Sequence, residues 1–136
     1  MSRLLTMAIR ILRLGSSRDR DEGPRLGTVR RPPRGVRKPD YARRNFYDAW
    51  LPELAPSDAL LAWARTRPFT PARSEQFARR YRREMKRPDA QRLLALIALL
   101  SQHTNLSVGC YCEDETHCHR RVLRDLLAEA GAVIVG

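Results

Sequence analysis

Residues 106–135 read LSVGCYCEDETHCHRRVLRDLLAEAGAVIV, and they decide the fold. Residues 106–112 set apolar or small side chains at alternate positions, the period of a strand. Residues 119–131 place Val122, Leu123, Leu126 and Leu127 on one side of a helix that Gly131 ends. Residues 132–135 (AVIV) make a final strand. A strand, a helix and a strand in close succession imply parallel pairing and a right-handed crossover. The expected fold is a small three-layer α/β domain, with about four mostly parallel strands and helices on both faces.

Upstream, Ala8–Leu14 alternates apolar and basic residues and reads as a first strand, and residues 25–29 (RLGTV) as a second. Between them, residues 15–24 form a polar loop with Gly and Pro at its ends. Residues 30–44 (RRPPRGVRKPDYARR) hold seven basic residues, one acid, three prolines and a glycine. Such a stretch cannot hold regular structure and is too basic for a core, so it lies on the surface or over a site. In residues 45–57 (NFYDAWLPELAPS), Phe46, Tyr47, Trp50 and Leu51 read as anchors of a crossover segment.

Three helices follow. The first spans about 58–66, with Ser57 as cap and Asp58 in its first turn. The second spans about 71–86, with Thr70 as cap and Pro71 at the first position. Phe77, Tyr81 and Met85 share one of its faces, and arginines occupy much of the rest. The third spans about 89–103 and is expected to bury Leu93, Leu94, Ile97 and Leu100.

The 136 residues suit one domain, 1–136, with residues 1–7 as an N-terminal extension. A hydrophobic content of 43% supports a folded core. No apolar run approaches the roughly 20 residues that span a bilayer, so no membrane partner is expected. Arg10 and Arg13 interrupt the apolar start, which argues against a secretory signal. Three cysteines, an odd number, argue against a disulfide scaffold and for a reducing, cytoplasmic setting. The formal charge is +11, and only Lys38 and Lys86 among the 26 basic residues are lysines. Arginine forks onto phosphate oxygens, but a GC-rich coding sequence also inflates arginine, so the bias alone does not name a partner.

Ligands of open α/β sheets bind beyond the carboxyl ends of the strands, where residues 109–121 (GCYCEDETHCHRR) would lie. Cys118, at the start of the last helix, is the candidate reactive thiol, with His119 beside it as a second candidate catalytic group. Arg120 and Arg121 oppose the helix dipole there, which hints at an anionic ligand; the acids at 113–115 offer another explanation. Arg30, Arg34 and Arg120 are the candidate anion-binding residues, expected to face one cleft and hold a phosphate-bearing small molecule or a nucleotide. Cys110 and Cys112 share one strand face, so Cys118 and His117 or His119 could complete a soft metal site. The spacing is not a dependable zinc pattern, and cysteine also packs as a small apolar residue. A phosphatase loop fails: the sixth residue after Cys112 is Cys118, and Arg120 comes two positions late. A nucleic-acid module using the basic stretches 25–44 and 73–87 is the less favoured alternative, because aromatic residues are sparse there. The sequence sets neither the cofactor nor the oligomeric state.

Taken together, GTVRRPPRGV, FYDAWLPELAPS, FARRYRREM and VGCYCEDETHCHRRVLRDLL resemble the YeaO-like proteins, domain of unknown function family 488. The likeness runs from about Ile9 to Ala130, with the motifs in the same order. Its most specific elements are the Trp-Leu-x-Glu-Leu-Ala-Pro-Ser stretch and the Cys-His-Arg that opens the last helix. Where the family motif reads Asp-Arg-Leu-Trp-Pro-Arg-Gly, this chain has Val29-Arg30-Arg31-Pro32-Pro33-Arg34-Gly35. Arg30, Pro33, Arg34 and Gly35 match. Val29 stands in place of the Asp, so any acid–base role of that carboxylate is absent here. The resemblance implies a compact α/β domain and supplies no activity.

Overall fold

The computed structural model describes residues 7–112 and 118–135. Residues 1–6, most of the expected N-terminal extension, lie outside the described residues, as do the acids at 113–115 and His117. Five strands form one parallel sheet: β1 (Ile9–Arg13), β2 (Arg25–Gly27), β3 (Ala49–Trp50), β4 (Leu106–Cys110) and β5 (Ile134–Val135). They pair in the order β3-β2-β4-β1-β5. The centre is β4, buried at every residue, with Leu106 opposite Ile9 and Cys110 opposite Arg13. Four helices follow: α1 (Asp58–Ala64), α2 (Pro71–Glu84), α3 (Pro88–Leu100) and α4 (His119–Glu129).

The strand order explains the layers. The chain steps one way across the sheet from β1 to β3, then the other way from β3 to β5. Right-handed crossovers then put the first two connections on one face and the last two, which carry all four helices, on the other. The cores agree. Leu60, Tyr81, Leu94, Ile97, Leu123 and Leu127 of the helices pack with Ile9, Leu106 and Val108. Leu14 and Val29 pack with Tyr41, Phe46 and Tyr47 in a second cluster. The third layer is thus built from the irregular connections, including a short 3-10 turn at Lys38–Asp40. Burying each large side chain of the main core is worth about 1.5–3 kcal/mol.

The expected α/β class, three layers and parallel pairing hold, with five strands rather than four. The added one, β3, lies in the segment read as a crossover. It is two exposed residues long, so no alternation could mark it. The Trp50 indole N–H donates to the Val29 carbonyl at 2.7 Å and pins this edge. Caps fell where the sequence placed them: the Ser57 hydroxyl accepts from the Leu60 N–H and the Thr70 hydroxyl from the Arg73 N–H. In α3 the buried set is Ala90, Leu94, Ile97 and Ala98, while Leu100 is exposed. That helix is apolar nearly all round, so periodicity alone could not choose its inner face.

Two close approaches hold the loop layer down. A Cβ on Gly27 would lie 2.4 Å from the Tyr47 ring, so only glycine lets that ring lie against β2. Arg25, fully buried on the same strand, pairs with Glu22 and donates to the carbonyls of Asn45 and Ser17. Asp48 accepts from the Arg25 N–H and from Arg18, which makes it a structural carboxylate.

Candidate functional site

The strand order changes direction between β2 and β4. Open parallel sheets leave a crevice beyond the strand ends at such a switch point. Val29, Arg30 and Arg31 run off β2, and Cys110, Tyr111 and Cys112 run off β4. All six line one cleft of about 220 Å³, closed by His119 from α4 and by Pro56, Leu61 and Arg65 around α1.

The sulfurs of Cys110, Cys112 and Cys118 lie within 4.8 Å of one another, close enough to share one soft ion. All three are free thiols; Cys110 and Cys118 are buried and Cys112 is exposed. The Cys110 and Cys118 sulfurs are 2.7 Å apart. Hydrogen bonds from Cys110 and then Cys118 hold the Cys112 thiol well below the ordinary range, and the Arg120 charge adds to this. The same bond to Cys112 pushes Cys110 up. At Cys118 the bond with Cys110 lowers the pKa, but the bond to Cys112 and burial outweigh it and raise the thiol to about 11. Of the three, only the exposed Cys112 is drawn toward the thiolate, while the two buried thiols are held protonated.

His119 is buried at the first position of α4. Its Nε2 lies 2.8 Å from the Thr28 carbonyl oxygen, which can only accept, so Nε2 carries the proton. The Thr28 hydroxyl donates to the Gly109 carbonyl at 3.0 Å and lies 3.1 Å from Nε2. Nδ1 is then unprotonated and lies 3.6 Å from the Cys118 sulfur, placed to accept its S–H. Burial pushes the His119 pKa down to about 4, so the ring is neutral at pH 7. The Tyr81 ring packs edge-on against it at 5.3 Å.

The candidate anion-binding arginines separate. Arg30 lines the cleft but gives its guanidinium to the carbonyls of Pro56 and Ala55, at 3.1 and 3.2 Å. Arg120 is buried and donates to the Cys112 carbonyl at 2.6 Å. Its Nε has no hydrogen-bond partner among the described residues. Arg34 is exposed and is not among the lining residues. The lining includes two arginines that sequence reasoning missed. Arg31 is paired with Asp58 at 2.9 Å, and Arg65 is exposed with no side-chain partner among the described residues. Nothing local marks Arg65, because the turn of α1 that carries it reaches the cleft only through the fold.

A family model described as the active DUF488-N3 subclade matches residues 9–131. The chain belongs to this family. No curated protein matches it. No solved structure matches it either. In this DUF488-N3 chain the Cys-His-Arg that carried the resemblance is the N-terminus of α4: Cys118 and Arg120 reach Cys110 and Cys112 at the end of β4, and His119 reaches Thr28 after β2. Among the described residues, no helix is long and apolar enough to cross a membrane.

Proposed function

We propose that the cleft between β2 and β4 binds a phosphate-bearing small molecule beside a nucleophilic cysteine, and that Cys112 rather than Cys118 is that nucleophile. The observation that carries this reading is the shared lining: the exposed thiol of Cys112 and the guanidinium-bearing residues Arg31 and Arg65 border one cleft. Among the described residues Arg65 has no side-chain partner and Arg31 holds an exposed ion pair, which is worth little, so both are placed to meet an anion. Arg30 is spent on backbone carbonyls and contributes its charge from the wall. Cys118 and His119 line the thiolate's surroundings: the Cys118 sulfur lies within 4.8 Å of Cys112, and Nδ1 of neutral His119 lies 3.6 Å from Cys118. The volume of about 220 Å³ falls below the roughly 300–1,000 Å³ of drug-sized sites, which favours a small phosphate ester over a nucleotide.

The alternative, a nucleic-acid face on α2, draws little support from its arginines. Arg82 forks onto Glu129, and Arg73 and Arg80 lie over the Trp63 ring at 4.3 and 4.4 Å. Calorimetry of the reduced protein with ribose 5-phosphate tests the proposal. Arg65→Ala should weaken binding about tenfold, the loss of one charge-assisted contact of about 1.5 kcal/mol. Arg83→Ala on α2 should leave it unchanged. Absence of binding, or equal losses in both variants, refutes the cleft.

A further inference from the structure

Three thiols gathered at one strand end exceed what a single nucleophile needs. We propose that Cys112, Cys118 and Cys110 form a relay that reduces a hydroperoxide and stores its two oxidising equivalents as a buried disulfide. The proposal rests on Cys112 as the nucleophile of the cleft, and not on the identity of the anionic ligand.

The geometry supplies each step. Cys112 is the exposed sulfur and meets the hydroperoxide first. Its thiolate attacks the terminal oxygen: an S–O bond forms, the O–O bond breaks, and the departing alkoxide or hydroxide takes a proton from solvent. Cys112 is then a sulfenic acid. The oxidised Cys112 sulfur is now an electrophile within 4.8 Å of the Cys118 sulfur. Cys118 is also the N-cap of α4, where the helix dipole favours a thiolate, and His119 Nδ1 lies 3.6 Å away to take the proton. Cys118 attacks the Cys112 sulfur: an S–S bond forms, the S–O bond breaks, and the hydroxyl leaves as water with a proton. Each sulfur lies within 4.8 Å of the other, so this needs side-chain rotation rather than unfolding.

The third thiol completes the relay. Cys110 lies 2.7 Å from Cys118; its proton leaves to water in the cleft that Cys110 lines, and its sulfur attacks that sulfur of the new disulfide. The bond to Cys112 breaks, and Cys112, the exposed sulfur at the cleft, leaves as a thiolate. The end state is a buried Cys110–Cys118 disulfide and a regenerated exposed thiolate. Two electrons pass from two thiols to one hydroperoxide, and a return to the starting state requires an external dithiol.

The test uses the full chain, reduced and freed of reductant, with one equivalent of hydrogen peroxide. Two of the three thiols should disappear per peroxide, and peptide mapping should find Cys110 joined to Cys118 with Cys112 still alkylatable. Cys118→Ser should halt the relay, leaving a sulfenic acid on Cys112 that dimedone traps. Cys112→Ser should slow peroxide consumption about tenfold or more, since only protonated buried thiols remain. Cys112→Ser should still fold, because its side chain is exposed, and circular dichroism checks this. Unchanged consumption in Cys112→Ser, one thiol lost per peroxide in the unmutated chain, or all three thiols blocked by a tightly bound metal would each overturn the relay. None of these readouts involves a phosphate ester, so the relay and the anion cleft fail separately.

Discussion

Raising or lowering the pH should leave the alkylation rate of Cys112 nearly constant where that of an ordinary thiol collapses. Only the thiolate reacts. A thiol of pKa about 8.5 is roughly 24% ionised at pH 8 and about 0.03% at pH 5, so its rate falls about 800-fold across that range. The neighbouring Cys110 and Cys118 thiols, helped by the Arg120 charge, hold the Cys112 pKa well below the ordinary range, so it stays ionised throughout. Its rate should change less than about twofold. The rate at pH 7 alone is a poor guide. Full ionisation gains about 30-fold over an ordinary thiol, but nucleophilicity falls with pKa and offsets most of the gain. The assay is iodoacetamide labelling of reduced protein at pH 5, 6, 7 and 8, with each cysteine quantified by mass spectrometry. Cys110→Ala removes one donor to the thiolate; a bond worth about 1.5 kcal/mol should raise the Cys112 midpoint by about one pH unit. A Cys112 rate that falls several hundredfold toward pH 5, or faster labelling at Cys118 than at Cys112, would refute the assignment of the thiolate to Cys112.

Two further outcomes follow from the packing around the site. His119 is buried and neutral with a pKa of about 4, against about 6.5 in the unfolded chain. The unfolded chain therefore takes up a proton between those values that the folded chain refuses, so stability is full above pH 6.5 and falls as pH drops toward 4. Urea unfolding should show about 3 kcal/mol of this loss, absent in His119→Gln, whose amide can still donate to Thr28; equal pH slopes in both proteins would refute a buried neutral ring. Gly27→Ala should destabilise by about 1–3 kcal/mol by forcing the Tyr47 ring off β2, and an unchanged unfolding midpoint would show that the loop layer is not packed as described.

What was legible in the sequence follows from where each signal resides. The strand, helix and strand of residues 106–135 were readable because their periods and the closing Gly131 are local. Ser57 and Thr70 were readable for the same reason: a cap is a bond between residues three apart. β3 was not, since two exposed residues carry no pattern and pair only through the Gly27 and Arg25 backbone. The inner face of α3 was not, since leucines surround it. At the site, the cysteine stretch drew notice by its residue types, but the order of reactivity among its thiols depends on burial and on hydrogen bonds among the three sulfurs. The sequence placed the candidate reactive thiol at Cys118 by its helix position, and burial, which that position does not reveal, is what separates it from the exposed Cys112. Arg65 lies 45 residues from Cys110 and meets it only because α1 follows the crossover from β3.

Arg120 shows how a local misfit is settled by its surroundings. A cation in the first turn of α4 works against the helix dipole, at a cost of about 0.3–1 kcal/mol. Its guanidinium bond to the Cys112 carbonyl, at 2.6 Å, is charge-assisted and worth about 1.5–3 kcal/mol, so the contact outweighs the dipole. The bond also fixes the backbone that carries the thiolate, and the buried positive charge lies where it lowers the Cys112 pKa. Within the chain, the Cys112 carbonyl is the partner that explains Arg120. In the proposed cleft the anion of a ligand would fall to Arg31 and Arg65. Arg120→Lys would keep the charge but not the planar fork. It should loosen the Cys112 segment and raise the midpoint of its alkylation profile, while leaving phosphate-ester affinity within about twofold, because the cleft arginines are untouched. A loss of phosphate-ester binding as large as that of Arg65→Ala would return Arg120 to the ligand.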